Sequence, residues 1–406
     1  MNWKKNTVLF LASQTISLFG SSLVQYAITW YITLETKSGI MMTISIICGF
    51  LPMFFLSPFA GVWADRYNRK LLIMLSDSFI ALSTLLLAVL FLMGYDAIWL
   101  LFVISAFRSL GSGIQSPAIS AILPQIVPEK KLTRVNATNG SIQSLVLLVS
   151  PMLSGALLTV ASIEAIFFID VATAALAVSI LLFFLHVPLH QKAQEGGKTG
   201  YLNDMKEGVK YIVSHKYLKA FFLFSTVYFF MIAPAAFLTP LQVTRSFGSE
   251  VWRLTAVEVA FSAGMTAGGL IMASWGGFKN RIHTMMFSTF MIGAGTLALG
   301  FVPAFTAYLA VMALVGIAVP IFNTPATVML QQKVEQDFMG RVFGVMSMIT
   351  GSMMPLGMLV FGPVADIVRI EWLLAGTGTI LFLEGFLLIG SKSLAEAGKP
   401  DPALNK

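Results

Sequence analysis

Twelve apolar runs, each close to the length needed to cross a lipid bilayer, take up most of this 406-residue chain. An α-helix rises 1.5 Å per residue, so about 20 mostly apolar residues span the hydrocarbon layer. The runs fall at 7–31, 39–63, 71–94, 98–118, 139–160, 163–186, 217–241, 255–276, 283–303, 306–327, 341–364 and 372–391. In hydrocarbon every backbone N–H and C=O must be paired within the chain, so such runs fold as helices. Charged residues are 11% of the chain and apolar residues 57%, too little polar sequence to clothe two or three soluble domains. The first run is long and is followed at once by a second, so it reads as a span and not as a cleaved leader.

The formal charge of +7 would suit nucleic acid, but the placement of the basic residues argues against such a partner. With the N-terminus in the cytosol, 21 of the 26 Lys and Arg residues fall in inner segments. Four (Lys37, Arg245, Arg253 and Arg369) fall in outer loops, and Arg108 lies within a span. That bias follows the positive-inside rule and places both termini in the cytosol of a multi-pass protein of the cell membrane, surrounded by membrane lipid. Cys48 is the sole cysteine, and His186, His190, His215 and His283 have no ligand spacing, so neither a metal nor another cofactor is expected. Gly196-Gly197-Lys198-Thr199 lacks the first glycine of a phosphate-binding loop, and no catalytic pair or triad pattern appears.

The chain divides near its middle. Residues 1–188 form one six-helix bundle, 189–216 a cytosolic linker, 217–391 a second bundle, and 392–406 a cytosolic tail. Within the linker 191–201 reads as flexible, and 203–214 as an amphipathic helix with Met205, Val209 and Ile212 on its apolar side. The two bundles look duplicated. Asn68-Arg69 matches Asn280-Arg281, Pro117-Ala118 matches Pro325-Ala326, and Arg134-Val135 matches Arg341-Val342, at offsets of 212, 208 and 207. Three matches in order at nearly one offset indicate parallel repeats.

Between spans two and three stands Gly61-Val62-Trp63-Ala64-Asp65-Arg66-Tyr67-Asn68-Arg69-Lys70. It resembles G-x-L-A-D-R-x-G-R-K, the mark of the major facilitator superfamily in that same loop. Trp63 replaces Leu, and Asn68 replaces the second Gly, a mild change because Asn tolerates a left-handed backbone. Arg108 matches the family's arginine in span four. Ser150-Pro151-Met152-Leu153-Ser154-Gly155 resembles the exporters' G-P-x-x-G-G in span five, with Ser in two glycine places. Arg108-Ser109-Leu110-Gly111, Ser116-Pro117-Ala118, Glu258-Val259-Ala260-Phe261 and Gly340-Arg341-Val342-Phe343 are similar to the macrolide-efflux branch of drug:proton antiporters. The resemblance implies an all-α integral membrane protein of twelve transmembrane helices in two pseudo-symmetric bundles. It implies a non-enzymatic, monomeric exporter of small amphipathic substrates, coupled to protons. A lipid or siderophore carrier with the same fold stands as an alternative, and a non-transporting scaffold or sensor as another.

Several residues take roles on that basis. Asp65 is expected to latch the cytosolic side by sitting against Arg341 and the N-terminus of span eleven, supported by Gly61, Arg66, Arg69 and Lys70. The alternative is that Asp65 stabilises only its own loop. Ser150, Pro151, Ser154 and Gly155 are expected to keep one face of span five small, either for packing between the bundles or as an ordinary kink, with Pro151 breaking the regular helix. Gly264, Gly268 and Gly269 leave the same choice in span eight.

Ionisable groups in hydrocarbon are costly and mark function. Asp170 and Glu258 lead as proton-coupling carboxylates, with Asp77 and Glu384 behind them and Arg108 as buried counter-ion. Each also has a plain reading: Asp77 pairs with the Arg66–Lys70 cluster, Glu258 reaches the outer interface, and Glu384 snorkels inward. Polar lining of a substrate cavity is expected from Gln14, Gln25, Gln115, Asn139, Gln143 and Asn323, among adaptable Phe and Met side chains.

Overall fold

The computed structural model describes residues 3–185 and 201–399, and those residues form helices α1 (Trp3–Thr36), α2 (Gly39–Arg66), α3 (Arg69–Leu92), α4 (Ile98–Ile126), α5 (Glu129–Val160) and α6 (Ile163–Phe184). After them come α7 (Tyr201–Ser214), α8 (Lys216–Met231), α9 (Ala233–Phe237), α10 (Thr239–Ser246), α11 (Val251–Trp275) and α12 (Arg281–Leu299). The chain continues with α13 (Phe305–Lys333), α14 (Gln336–Ile367), α15 (Ile370–Gly390) and α16 (Lys392–Ala397). Among the described residues eleven helices are long and apolar enough to cross a membrane.

The run at 217–241 is the exception. It is split into α8, α9 and α10, because Pro234 and Pro240 each sit in the first turn of a new helix. A proline removes the backbone donor that would continue the ladder, but is accommodated where a helix starts. Pro151 acts differently from its expectation: α5 runs unbroken through it.

Two compact units emerge. The first comprises α1, α2 from Ile44 onward, and α3 to α6. The second takes α7 to α16 together with Lys37–Thr43, so the first turn of α2 belongs to it. In the first unit α1 packs on α5 and α6, and α3 on α4 and α6; in the second, α8 packs on α14 and α15, and α12 on α13 and α15. These four pairings correspond under the sequence repeat. The matched asparagines do the same work: Asn68 accepts the Leu71 N–H at the start of α3, and Asn280 the Ile282 N–H at the start of α12. Each satisfies one of the orphan N–H donors at a helix start that the helix cannot satisfy itself.

The described part of the linker is α7, whose sequence expectation needs one correction. Gly208, Tyr211 and Ile212 face inward and Val209 is exposed. Tyr211 stacks on Phe338 of α14 at 4.3 Å, Glu207 pairs with Arg341 at 3.2 Å, and Gly208 lets the helix approach the Arg341 backbone. The buried stripe is thus selected by docking on α14, where only a small residue at 208 fits. The flexible reading of 191–201 falls almost wholly outside the described residues, as do the linker's start and the tail beyond 399.

Candidate functional site

Arg108 projects from α4 into the interior of the first unit and is 5% exposed. Its Nη1 donates to Asp170 Oδ2 of α6 and lies against Thr84 Oγ1 of α3, and its Nη2 donates to Ser21 O of α1 at 3.1 Å. Thr84 Oγ1 donates to Asp170 Oδ2 at 2.9 Å, and Ser21 Oγ to Asp170 Oδ1 at 3.2 Å. Four helices therefore close a buried ion pair in which both carboxylate oxygens are engaged. Arg108 and Asp170 thus form a buried ion pair whose polar atoms are met from α1 and α3 as well. The sequence reading placed Asp170 level with Glu258 ahead of the other coupling candidates; here both of its carboxylate oxygens are engaged, by Arg108, Thr84 and Ser21.

Asp77 stands apart from that pair. It is 2% exposed on α3, and its Oδ1 accepts from Ser17 Oγ of α1 and Gln115 Nε2 of α4, both at 2.6 Å. Its Oδ2 has no hydrogen-bond partner. The basic cluster nearby does not reach it. Arg69 donates to Ala64 O and Ala121 O, and Lys70 to Leu182 O and Leu185 O, so these cations tie α3 to neighbouring helix ends.

Ser17 and Gln115 also line a cavity of about 120 Å³ in the first unit, together with Gln14, Ser21, Ser112, Asn139 and Gln143. Four of the six expected polar groups meet there. Gln25 and Asn323 do not; both are exposed elsewhere, on α1 and α13. The Gln14 Nε2 donor is buried without a partner, beside the cavity it lines. Sequence reasoning missed Ser17, Ser21 and Thr84 because a lone hydroxyl in an apolar run carries no signal until a neighbouring helix supplies its partner.

The remaining candidates lie apart from this cluster. Glu258 is half-buried on α11. Glu384 does not snorkel: it is 3% exposed on α15, and its Oε2 is unpartnered. In α5, Ser150 and Ser154 are fully buried with Pro151 and Gly155, and Ser154 donates to Leu23 O of α1 at 3.1 Å, a contact inside the first unit. Gly264 and Gly268 of α11 lie where a Cβ would strike the α13 carbonyls of Ala313 and Ile317, whereas Gly269 faces open space. The Asp65 side chain lies outside the described residues, so the expected latch does too. Of its other members, Gly61 has open space above it, Arg66 is exposed, and Arg341 meets Glu207 and the Phe338 ring.

A carboxylate that sequence reasoning passed over sits at the other end of the chain's second unit. Asp366, near the end of α14, accepts from Ser38 Oγ, the Gly39 and Ile40 N–H groups and Arg245 Nη2. Its signal was present: Gly362-Pro363-Val364-Ala365-Asp366 repeats the G-x-x-A-D of Gly61-Val62-Trp63-Ala64-Asp65.

Helices of this length and number, paired under an internal repeat, have counterparts among known proteins. The family model of the Major Facilitator Superfamily matches residues 10–358. The chain belongs to that superfamily. Among superfamily relatives, Macrolide efflux protein A of Streptococcus pyogenes is 30% identical over 380 residues, covering 93% of this chain and 94% of that protein. Multidrug efflux pump Tap of Mycolicibacterium fortuitum is 25% identical, covering 90% of each. Among solved structures, the inward-facing, unoccupied bacterial homolog of the human lysosomal transporter Spinster has a TM-score of 0.71 at 12% identity, covering 98% of this chain and 99% of that one. Such a likeness shows the fold. Superfamily membership and the long apolar helices make this chain a multi-pass membrane transporter.

Proposed function

We propose that this transporter is a secondary active exporter of small amphipathic, macrolide-like compounds, exchanging cargo for protons by alternating access as a monomer, with both termini in the cytosol. One observation carries the reading: Asp77, with a free buried oxygen, is hydrogen-bonded to two residues that line a polar cavity. The full-length likeness to a macrolide efflux protein supports the cargo, and the distribution of Lys and Arg supports the orientation.

Asp77 is the proton carrier in this reading. A buried carboxylate oxygen without a partner is costly when ionised and relieved by protonation. Ser17 and Gln115 hold Oδ1 in either state, so a proton on Oδ2 changes the charge beside the cavity without dismantling it. For an amphipathic cargo that offers a basic nitrogen or a donor, the ionised form binds and the protonated form releases. Proton entry from outside and loss to the cytosol then drive export. Asp170 stays paired with Arg108 throughout.

The test is uptake of a labelled macrolide into inverted vesicles under an imposed pH gradient, then with an uncoupler. Wild-type uptake is expected to collapse with the gradient. Asp77→Asn, a mimic of the protonated form, is expected to insert normally, to bind the macrolide more weakly and to lose the gradient-driven component. Gradient-driven uptake that survives Asp77→Asn would move the proton to Glu258 or Glu384. Its absence in folded, inserted wild-type protein would end the macrolide reading.

A further inference from the structure

The cavity of the first unit is small, polar and lined by no charged side chain. Its lining comes from α1, α4 and α5, and Leu18, Ile119 and Ile142 are the apolar members of it. At about 120 Å³ it falls well short of the roughly 300–1,000 Å³ of a pocket that encloses a drug-sized molecule. Pockets of that larger kind are lined mostly by apolar side chains, and this one is not. It has room for one polar appendage of a larger cargo, not for an apolar body.

The hydrogen bonds around the cavity decide which appendage fits. The α1 hydroxyls already point their hydrogens elsewhere. Thr15 Oγ1 donates to Leu11 O at 2.7 Å, Ser17 Oγ to Asp77 Oδ1 at 2.6 Å, and Ser21 Oγ to Asp170 Oδ1 at 3.2 Å. A hydroxyl has one hydrogen and two lone pairs, so these three offer acceptors to whatever enters. Gln14 offers the opposite. Its side chain is 8% exposed, and its Nε2 donor has no partner among the described residues. Asn139 and Gln143 add amides from α5 that can both donate and accept. A ligand group that satisfies this wall must donate to the α1 oxygens and accept from Gln14. An ammonium only donates, and an ether or carboxylate only accepts. A hydroxyl does both, and a ring bearing several does so at several points together.

We propose that this cavity is a subsite for a hydroxyl-rich, sugar-like appendage on an otherwise apolar cargo, and that Gln14 is the donor that reads it. This rests on the reading above that cargo enters the cavity beside Asp77. It adds a selectivity which that reading lacks: glycosylated amphiphiles are preferred to sugar-free ones of equal apolar area. Gln14, a neutral amide, touches the cargo and carries no proton for coupling.

The first arm of the test measures binding to the full chain in lipid nanodiscs, with a labelled sugar-bearing macrolide and the same ring stripped of its sugars. Wild type is expected to bind the sugar-bearing form at least about tenfold more tightly, the scale of two neutral hydrogen bonds. Gln14→Leu is expected to weaken that form roughly fivefold and leave the stripped ring unchanged, whereas Asn323→Leu, outside the cavity, keeps the full preference. Equal affinities for the two forms in wild type, or a preference untouched by Gln14→Leu, would overturn the subsite.

A second arm needs neither a macrolide nor a proton gradient. In a Cys48→Ser background, Ser112→Cys places a thiol in the cavity lining, and Ile119→Cys serves where the first does not fold. Octyl glucoside is expected to protect the thiol from a maleimide. Octyldimethylamine oxide, which has the same chain and no hydrogen-bond donor, is expected to leave labelling unchanged. Protection by both or by neither would overturn the subsite. Protection by the glucoside alone, in a protein without gradient-driven macrolide uptake, would support the subsite and remove the proton-coupled macrolide reading instead.

Discussion

The two units share their packing plan and part company in their interiors. Advancing by 212, the offset between the capping Asn68 and Asn280, carries Asp77 to Thr289 and Thr84 to Thr296. The 208 offset between Pro117 and Pro325 carries Arg108 to Gly316. The 207 offset between the Ile163-Glu164 and Ile370-Glu371 helix starts carries Asp170 to Thr377. Where the first unit has two acids and an arginine, the second has two threonines and a glycine. Thr289 and Thr377 turn their hydroxyls back onto their own helices, to Met285 O and Leu373 O. Gly316 lies where a Cβ would meet the Phe261 carbonyl of α11 at 2.2 Å, so the site of the arginine has become a close helix contact. Duplication kept the helix ends and pairings, which any such bundle needs. At these matched positions ionisable side chains stand in one copy only, and such a group in hydrocarbon persists where it has a partner or a task.

The largest expected effect comes from breaking the charged side of that comparison. Asp170→Asn leaves Arg108 buried without its counter-charge and is expected to cost about 3–5 kcal/mol. Thermal unfolding in detergent would show it, and adding Arg108→Met should recover most of the loss. An unchanged midpoint in the single variant would mean that the pair does not hold the first unit together.

The packed side is expected to yield a smaller loss. Gly316→Ala pushes a methyl group into the Phe261 carbonyl and should cost about 1–3 kcal/mol, while Gly269→Ala, facing open space, should cost nothing measurable. Equal midpoints for the two would remove the close-contact explanation for the glycine opposite Arg108.

The finest test uses a buried polar residue that both copies share. Thr84 donates to Asp170 within the ion-pair cluster, whereas the Thr296 hydroxyl is buried without a partner. Thr84→Val should destabilise by about 1–2 kcal/mol, and Thr296→Val should be neutral or slightly stabilising. The reverse order would show that the second unit hides a polar network of its own.

Much of the architecture was legible in the chain itself. Apolar runs of bilayer length, with Lys and Arg biased to alternate loops, imply a polytopic helical protein whatever its neighbours, because the backbone in lipid has no other way to pair. The repeat was readable from Asn68 and Asn280, since a helix cap is a local matter of one side chain and the next turn. The G-x-x-A-D of α2 and its recurrence in α14 were equally on the page. The break in the run at 217–241 was encoded by Pro234 and Pro240, yet a hydropathy window averages across both.

Partnership was decided in three dimensions. Asp77 and Asp170 are alike in sequence, each a single acid in an apolar helix. Only the fold gives Asp170 an arginine from α4, and gives Asp77 two neutral donors at a cavity wall. The same holds for α7, whose buried stripe was set by the surface of α14 and not by its own periodicity. Local rules act over one or two turns and survive in the sequence. The state and use of a buried charge depend on what three other helices bring to it, and that is settled only when they pack.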